Sequence, residues 1–173
     1  MARTKLKEFT ASERLNKMAV DIIDLNLTTD AETIGDNACV SQSIEIPNAV
    51  AVNGGSGIIQ SIMVHNADNS LESPALEFIV AQANTSIASD EGAAINITGA
   101  NSITNFLGSF TVSNYSTMTP SDHEFAVKTN IGLAVKADDD TRSLYLHVIN
   151  RSGGDYTPST TGQLTCRIGI VKD

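Results

Sequence analysis

From residue 19 onward, apolar side chains recur at every second position, the spacing of half-buried β-strands. Ile23, Leu25 and Leu27 share one face of a first segment, and Val40, Ile44 and Ile46 one face of a second. Within 57–65, Ile58, Ile62 and Val64 form the inward set, leaving Ile59, Ser61, Met63 and His65 outward. Over 75–82, Leu76, Phe78 and Val80 point one way and Glu77 the other; Phe106, Phe110 and Val112 make another set. The longest segment, 125–136, places Phe125, Val127, Ile131, Leu133 and Val135 inward and Lys128, Asn130 and Lys136 outward. Leu144, Leu146 and Val148 then alternate with Tyr145 and His147, and Leu164, Cys166, Ile168 and Ile170 with Thr165, Arg167 and Val171.

About eight strands are therefore expected, separated by turn residues: Asn53-Gly54-Gly55, Asp138-Asp139-Asp140-Thr141 as a hairpin tip, Ser152-Gly153-Gly154-Asp155 and Thr161-Gly162. Many short strands without alternating helices predict an all-β, antiparallel β-sandwich. Eight strands fit a jelly roll of two packed sheets. The composition agrees: tryptophan is absent and phenylalanine and tyrosine are few, so Ile, Val, Leu and Ala must build the core.

The first 18 residues follow a different pattern. Thr10 or Ser12 can cap a short helix over about 10–18, with Glu13 three residues after Thr10 as in a capping box. Leu15 and Met18 give it one apolar edge, too short to stand alone. It must dock on its own body or on a neighbouring subunit. The chain divides into a basic N-terminal arm, 1–18, and a sandwich body, 19–173. Charge divides the same way. Arg3, Lys5, Lys7, Arg14 and Lys17 face only Glu8 and Glu13, whereas the other 18 acidic residues of the net −9 chain lie in the body with six basic ones. An acidic body argues against nucleic-acid binding, which needs basic surfaces.

The candidate chemistry is sparse. Cys39 and Cys166 form no CxxC or Cys/His ladder. Cys166 reads as a buried thiol, with a disulfide to Cys39 left open. His65, His123 and His147 have no ligand-spaced partner, and no nucleophile elbow or P-loop occurs. The expectation is a non-enzymatic protein with no cofactor and no metal. The acidic stretch at Asp138, Asp139 and Asp140 reads as a solvated turn, as does the loop with Asp68, Asn69 and Glu72. Five N-x-Ser/Thr sequons, at Asn26, Asn84, Asn96, Asn114 and Asn150, carry no weight without a secretory leader, and none is visible. No apolar run spans a bilayer. Tyr115, Tyr145 and Tyr156 suit an interface or a sugar groove; Tyr145 is assigned to an interface and the other two are left open.

A resemblance adds to this. The run Asp140-Thr141-Arg142-Ser143-Leu144-Tyr145-Leu146-His147-Val148-Ile149-Asn150-Arg151 leads into Gly153-Gly154-Asp155-Tyr156-Thr157 and closes on Leu164-Thr165-Cys166-Arg167-Ile168-Gly169-Ile170. Upstream stand Gly57-Ile58-Ile59-Gln60-Ser61-Ile62 and Leu76-Glu77-Phe78-Ile79-Val80, the latter followed by a polar stretch through Asn84. In strand order and loop phrases, residues 50–173 resemble the capsid decoration, or cement, proteins of tailed bacteriophages. The resemblance implies a virion location on the capsid surface, the major capsid protein as partner, and synthesis in the host cytoplasm. It covers neither the arm nor any chemical motif. From the residues themselves, the arm (Arg3, Lys5, Lys7, Arg14, Leu15, Lys17 and Met18) is expected to contact the shell or a neighbour. Outward Ile59, Met63, Ile79, Tyr145, His147 and Ile149 are expected to form an oligomer interface, with a trimer favoured. No membrane or nucleic-acid partner is expected. The rival reading is a host-surface or carbohydrate-binding module of a phage tail or fibre.

Overall fold

The computed structural model describes residues 19–27, 32–67, 72–97, 104–118, 123–158 and 163–172. Nine strands run through them: β1 (Ala19–Leu27), β2 (Cys39–Ile46), β3 (Ser56–Asn66), β4 (Leu76–Ala81), β5 (Phe106–Val112), β6 (Tyr115–Met118), β7 (His123–Lys136), β8 (Leu144–Asn150) and β9 (Leu164–Lys172). One sheet has the order β1-β9-β3-β7-β6 and the other β2-β8-β4-β5. Every pairing is antiparallel.

The pairing is nested. β1 pairs with β9, β2 with β8, β3 with β7 and β4 with β5. The chain is a doubled ribbon, turned back on itself between β4 and β5 and rolled into two facing sheets. That connectivity is a jelly roll. β6 is the one addition, a four-residue strand beside β7 at the sheet's edge. The predicted arm and its helix lie outside the described residues.

The core fills the space between the sheets with Leu27, Ile46, Ile59, Ile62, Val64, Leu76, Phe78, Leu144, Leu146, Ile168 and Ile170, all fully buried. Phe78 and Phe110 stack at 5.6 Å on β4 and β5. Each such aliphatic or aromatic side chain contributes roughly 1.5–3 kcal/mol relative to exposure. At one end of the core, buried Asn150 satisfies both ends of its amide. Its Nδ2 donates to the carbonyls of Ile34 (2.9 Å), Gly35 (3.2 Å) and Gly154 (2.9 Å), and its Oδ1 accepts from Ser152 N (3.0 Å) and Oγ (2.6 Å). One side chain thereby ties the loop before β2 to the loop after β8.

Three expectations from alternation are corrected, each at a bulge. Gln60 is an extra residue in β3 relative to β9, and on its other side β7 sets three residues, Asn130-Ile131-Gly132, against it, with Asn130 and Gly132 at positive φ of 56° and 67°. The insertion inverts the phase of both strands. Ile59 is therefore in the core and Ile58 is exposed, the reverse of the expectation. Likewise Ala126 is buried while Val127 is exposed and Phe125 half-buried; beyond the bulge, Ile131, Leu133 and Val135 face inward as predicted. In β5 the register shifts opposite Val80/Ala81, so Phe106 lies on the sheet's outer side rather than with Phe110 and Val112. Gly108 sits at that shift with φ of 156°; a Cβ there would meet Leu133 Cδ1 at 2.6 Å. The Asp138–Asp140 turn is not a hairpin tip, because β7 and β8 belong to different sheets. It is instead a crossover, tied to the Asn53-Gly54-Gly55 turn by Gly54 N–H bonds to the carbonyls of Asp138 (3.1 Å) and Thr141 (3.0 Å).

Candidate functional site

A sandwich has two outer faces, and this chain treats them differently. The outer face of the four-stranded sheet carries Ile79 on β4 and Tyr145, His147 and Ile149 on β8, with Ile79 and His147 directly paired. Residues 82–97, between β4 and β5, fold back over it. Cys39, Ile87, Ala88 and Ile149 form a second small core there, with Ile79, Ala93, Ile95, Ile97 and Phe106 packed around it. Gln42 Oε1 fastens this cover by accepting bonds from Ser86 Oγ (3.0 Å), Ile87 N (3.2 Å) and Ala88 N (3.3 Å). Backbone bonds from Cys39 N to Ala93 O (2.9 Å) and Gly92 N to Cys39 O (2.8 Å) fasten its other end.

His147 lies under this cover, fully buried. Its Nδ1 accepts the backbone N–H of Ser43 at 3.1 Å, Ser43 having a positive φ of 56° at the irregularity in β2. Phe106 meets the imidazole edge-on at 6.0 Å. Burial pushes the His147 imidazole down to about 4. Burial, reinforced by Glu91 and Asp90, pushes the Cys39 thiol up to about 12, and burial does the same to Cys166. Both cysteines are free and belong to different clusters, so the disulfide alternative falls.

The predicted interface set is thereby redistributed. Ile59 is in the central core, and His147 and Ile149 are buried under the chain's own cover, so these three do not form a free patch. Ile79, His147 and Ile149 stand side by side, but their surface is closed intramolecularly. Ile79 and Tyr145 are half-buried on that face, and Met63 is half-buried on the opposite sheet. Arg3, Lys5, Lys7, Arg14, Leu15, Lys17 and Met18 lie outside the described residues. Tyr156 is buried and the hydroxyl of Tyr115 is buried too, so neither offers an open sugar platform.

The outer face of the five-stranded sheet has no such cover among the described residues. Val20, Val171, Ile58 and Ala134 form a cross-strand row over β1, β9, β3 and β7. Val20 and Ile22 are each 66% exposed and Val127 53%. Beyond this row, Asp24 and Arg167 make a two-pronged ion pair at 2.6 and 3.2 Å, which holds the Asp24 carboxyl below its usual range. Next to it on the same face are Met63 and His65. His65 Nε2 lies 3.2 Å from His123 Nδ1, at the ends of β3 and β7. Alternation along β1 offered a signal for this face, since Val20 and Ile22 are apolar on the side opposite Ile23 and Leu25. The two histidines, 58 residues apart, offered none.

No family model matches the chain, and no curated protein matches it. Among solved structures, the Tomato aspermy virus structure aligns at 9% identity over 99% of this chain and 81% of that one, with a TM-score of 0.34. A virus-like particle of Macrobrachium rosenbergii nodavirus aligns at 10% identity over 89% and 92%, again with a TM-score of 0.34. Desmodium yellow mottle tymovirus aligns at 11% identity over 99% and 89%, with a TM-score of 0.29. The jelly-roll assignment rests on the strand pairing of this chain itself.

Proposed function

We propose that this chain is a non-enzymatic structural subunit of a virus particle that decorates and stabilises the capsid shell of a tailed phage. One observation carries the reading: a jelly roll that closes the outer face of one sheet with its own chain leaves the exposed Val20, Ile22 and Val127 of the other uncovered among the described residues. Jelly rolls also serve lectins and cupins, so fold alone does not assign the role. The open face supports an assembly role, since contiguous exposed apolar surface marks association sites. Charge supports a division of labour. The acidic body stands off, while Arg3, Lys5, Lys7, Arg14 and Lys17 reach the shell or a neighbouring copy, with Leu15 and Met18 supplying apolar contact. A segment that orders on binding loses entropy but can link several subunits. A homo-trimer is the assembly this reading favours. The sugar-binding alternative loses Tyr115 and Tyr156 to the interior.

The test is a copy count in purified particles, together with rebinding of protein lacking residues 1–18 to stripped shells. Copies in simple ratio to the shell subunit, and at least tenfold weaker rebinding of the truncated protein, are expected. A few copies per particle would move the protein to a tail or fibre. Equal rebinding would remove the arm from the attachment.

A further inference from the structure

His65 and His123 share a ring-to-ring hydrogen bond, Nε2 to Nδ1, and the same separation suits a chelate in which an ion replaces the shared proton. Two imidazole nitrogens bound to one tetrahedral ion at about 2.0–2.1 Å stand about 3.3 Å apart; the pair here stands at 3.2 Å. The ring centres are 5.1 Å apart, closer than a straight head-to-head alignment across that gap would give, and the planes are tilted by 55°. Both rings are half-buried on the uncovered sheet face, so solvent reaches them while the strands fix their backbones. Antiparallel pairing sets the spacing: His65 lies opposite Phe125, two residues along β7 from His123. No third His, Cys, Asp or Glu joins them among the described residues.

We propose that His65 and His123 form a two-histidine site for a divalent transition ion of the zinc, nickel or copper type, clamping the end of β3 to the end of β7. Imidazole favours these ions over magnesium or calcium, which prefer oxygen. Neutral imidazole is the ligand form. The ion would bridge the two strands at the end of their pairing, beside the last pair, Asn66 and Glu124.

Isothermal titration of the full chain with zinc, nickel and copper chlorides tests this, alongside His65→Gln and His123→Gln. One ion per chain is expected, with histidine ring signals of both residues perturbed by zinc and binding weakened at least tenfold in each variant. Circular dichroism establishes that the variants remain folded. Binding that survives both substitutions would assign the ion to thiols or to another surface and overturn the proposal. So would the absence of binding by any of the three ions at millimolar concentration.

Discussion

Acidification should expose how completely residues 82–97 cover the four-stranded sheet, because His147 reports on it. In the unfolded chain this imidazole titrates near 6.5; in the fold, burial holds it at about 4. Between those values the unfolded state binds more protons than the folded one. The stability is therefore present above pH 6.5 and lost as pH falls toward 4. Linkage over this window gives a loss of about 2 kcal/mol between pH 7 and pH 5, about thirtyfold in the folding equilibrium. Urea unfolding of the wild type and of His147→Asn at pH 7, 6 and 5 measures it. Asparagine places an oxygen where Nδ1 accepts the Ser43 N–H, but it does not titrate. His65 loses stability in the same direction, and it is present in both proteins, so it cancels in the difference. The depressed carboxyls of Asp24 and Glu77 act lower, below their ordinary range. Parallel losses in both proteins would refute the reasoning, as would an imidazole signal for residue 147 titrating near 6.5 in the folded state. Either result would mean that water reaches the face beneath the cover.

Asn150→Ala removes the amide that serves three carbonyls and Ser152, leaving buried groups without partners; a loss of about 2–4 kcal/mol in urea unfolding is expected. Tyr115→Phe should behave oppositely. The Tyr115 hydroxyl is buried with no hydrogen-bond partner among the described residues, and burial pushes its ionisation upward, so deleting it should leave the stability unchanged or raise it by up to about 1 kcal/mol. A loss exceeding about 1 kcal/mol in the same assay would show that the hydroxyl has a partner.

The sandwich was legible because period-two alternation holds wherever strands are regular. Leu25, Leu27, Phe78, Val80, Leu144, Leu146, Leu164 and Ile168 all face inward as their spacing predicts. It failed at Ile58, Ile59, Phe125, Val127 and Phe106 for one physical reason: an inserted residue inverts every side chain beyond it, and alternation cannot see the insertion. Asn130 and Gly132, both tolerant of positive φ, were the available warning. The apolar outward positions on β4 and β8 were read as an oligomer interface, whereas the chain's own residues 82–97 cover them. Spacing along a strand does not say whether the partner of such a surface is another molecule or the chain's own loop, and here Ile87 and Ala88 fill the role. The His65–His123 pair depends on the register between β3 and β7, a long-range property that no local pattern encodes.

The nested pairing also orders the chain's folding in time. β4 and β5 can meet soon after both have left the ribosome, and β3 with β7 and β2 with β8 can close around them in succession. β1 cannot finish. Its partner β9 is the last strand to be made, with Ala19 opposite Lys172, and closing a span of roughly 150 residues is among the slowest kinds of contact. Ile23, Leu25 and Leu27 must therefore wait unpaired until β9 emerges, a period in which an apolar strand is open to capture by a chaperone or by another nascent copy.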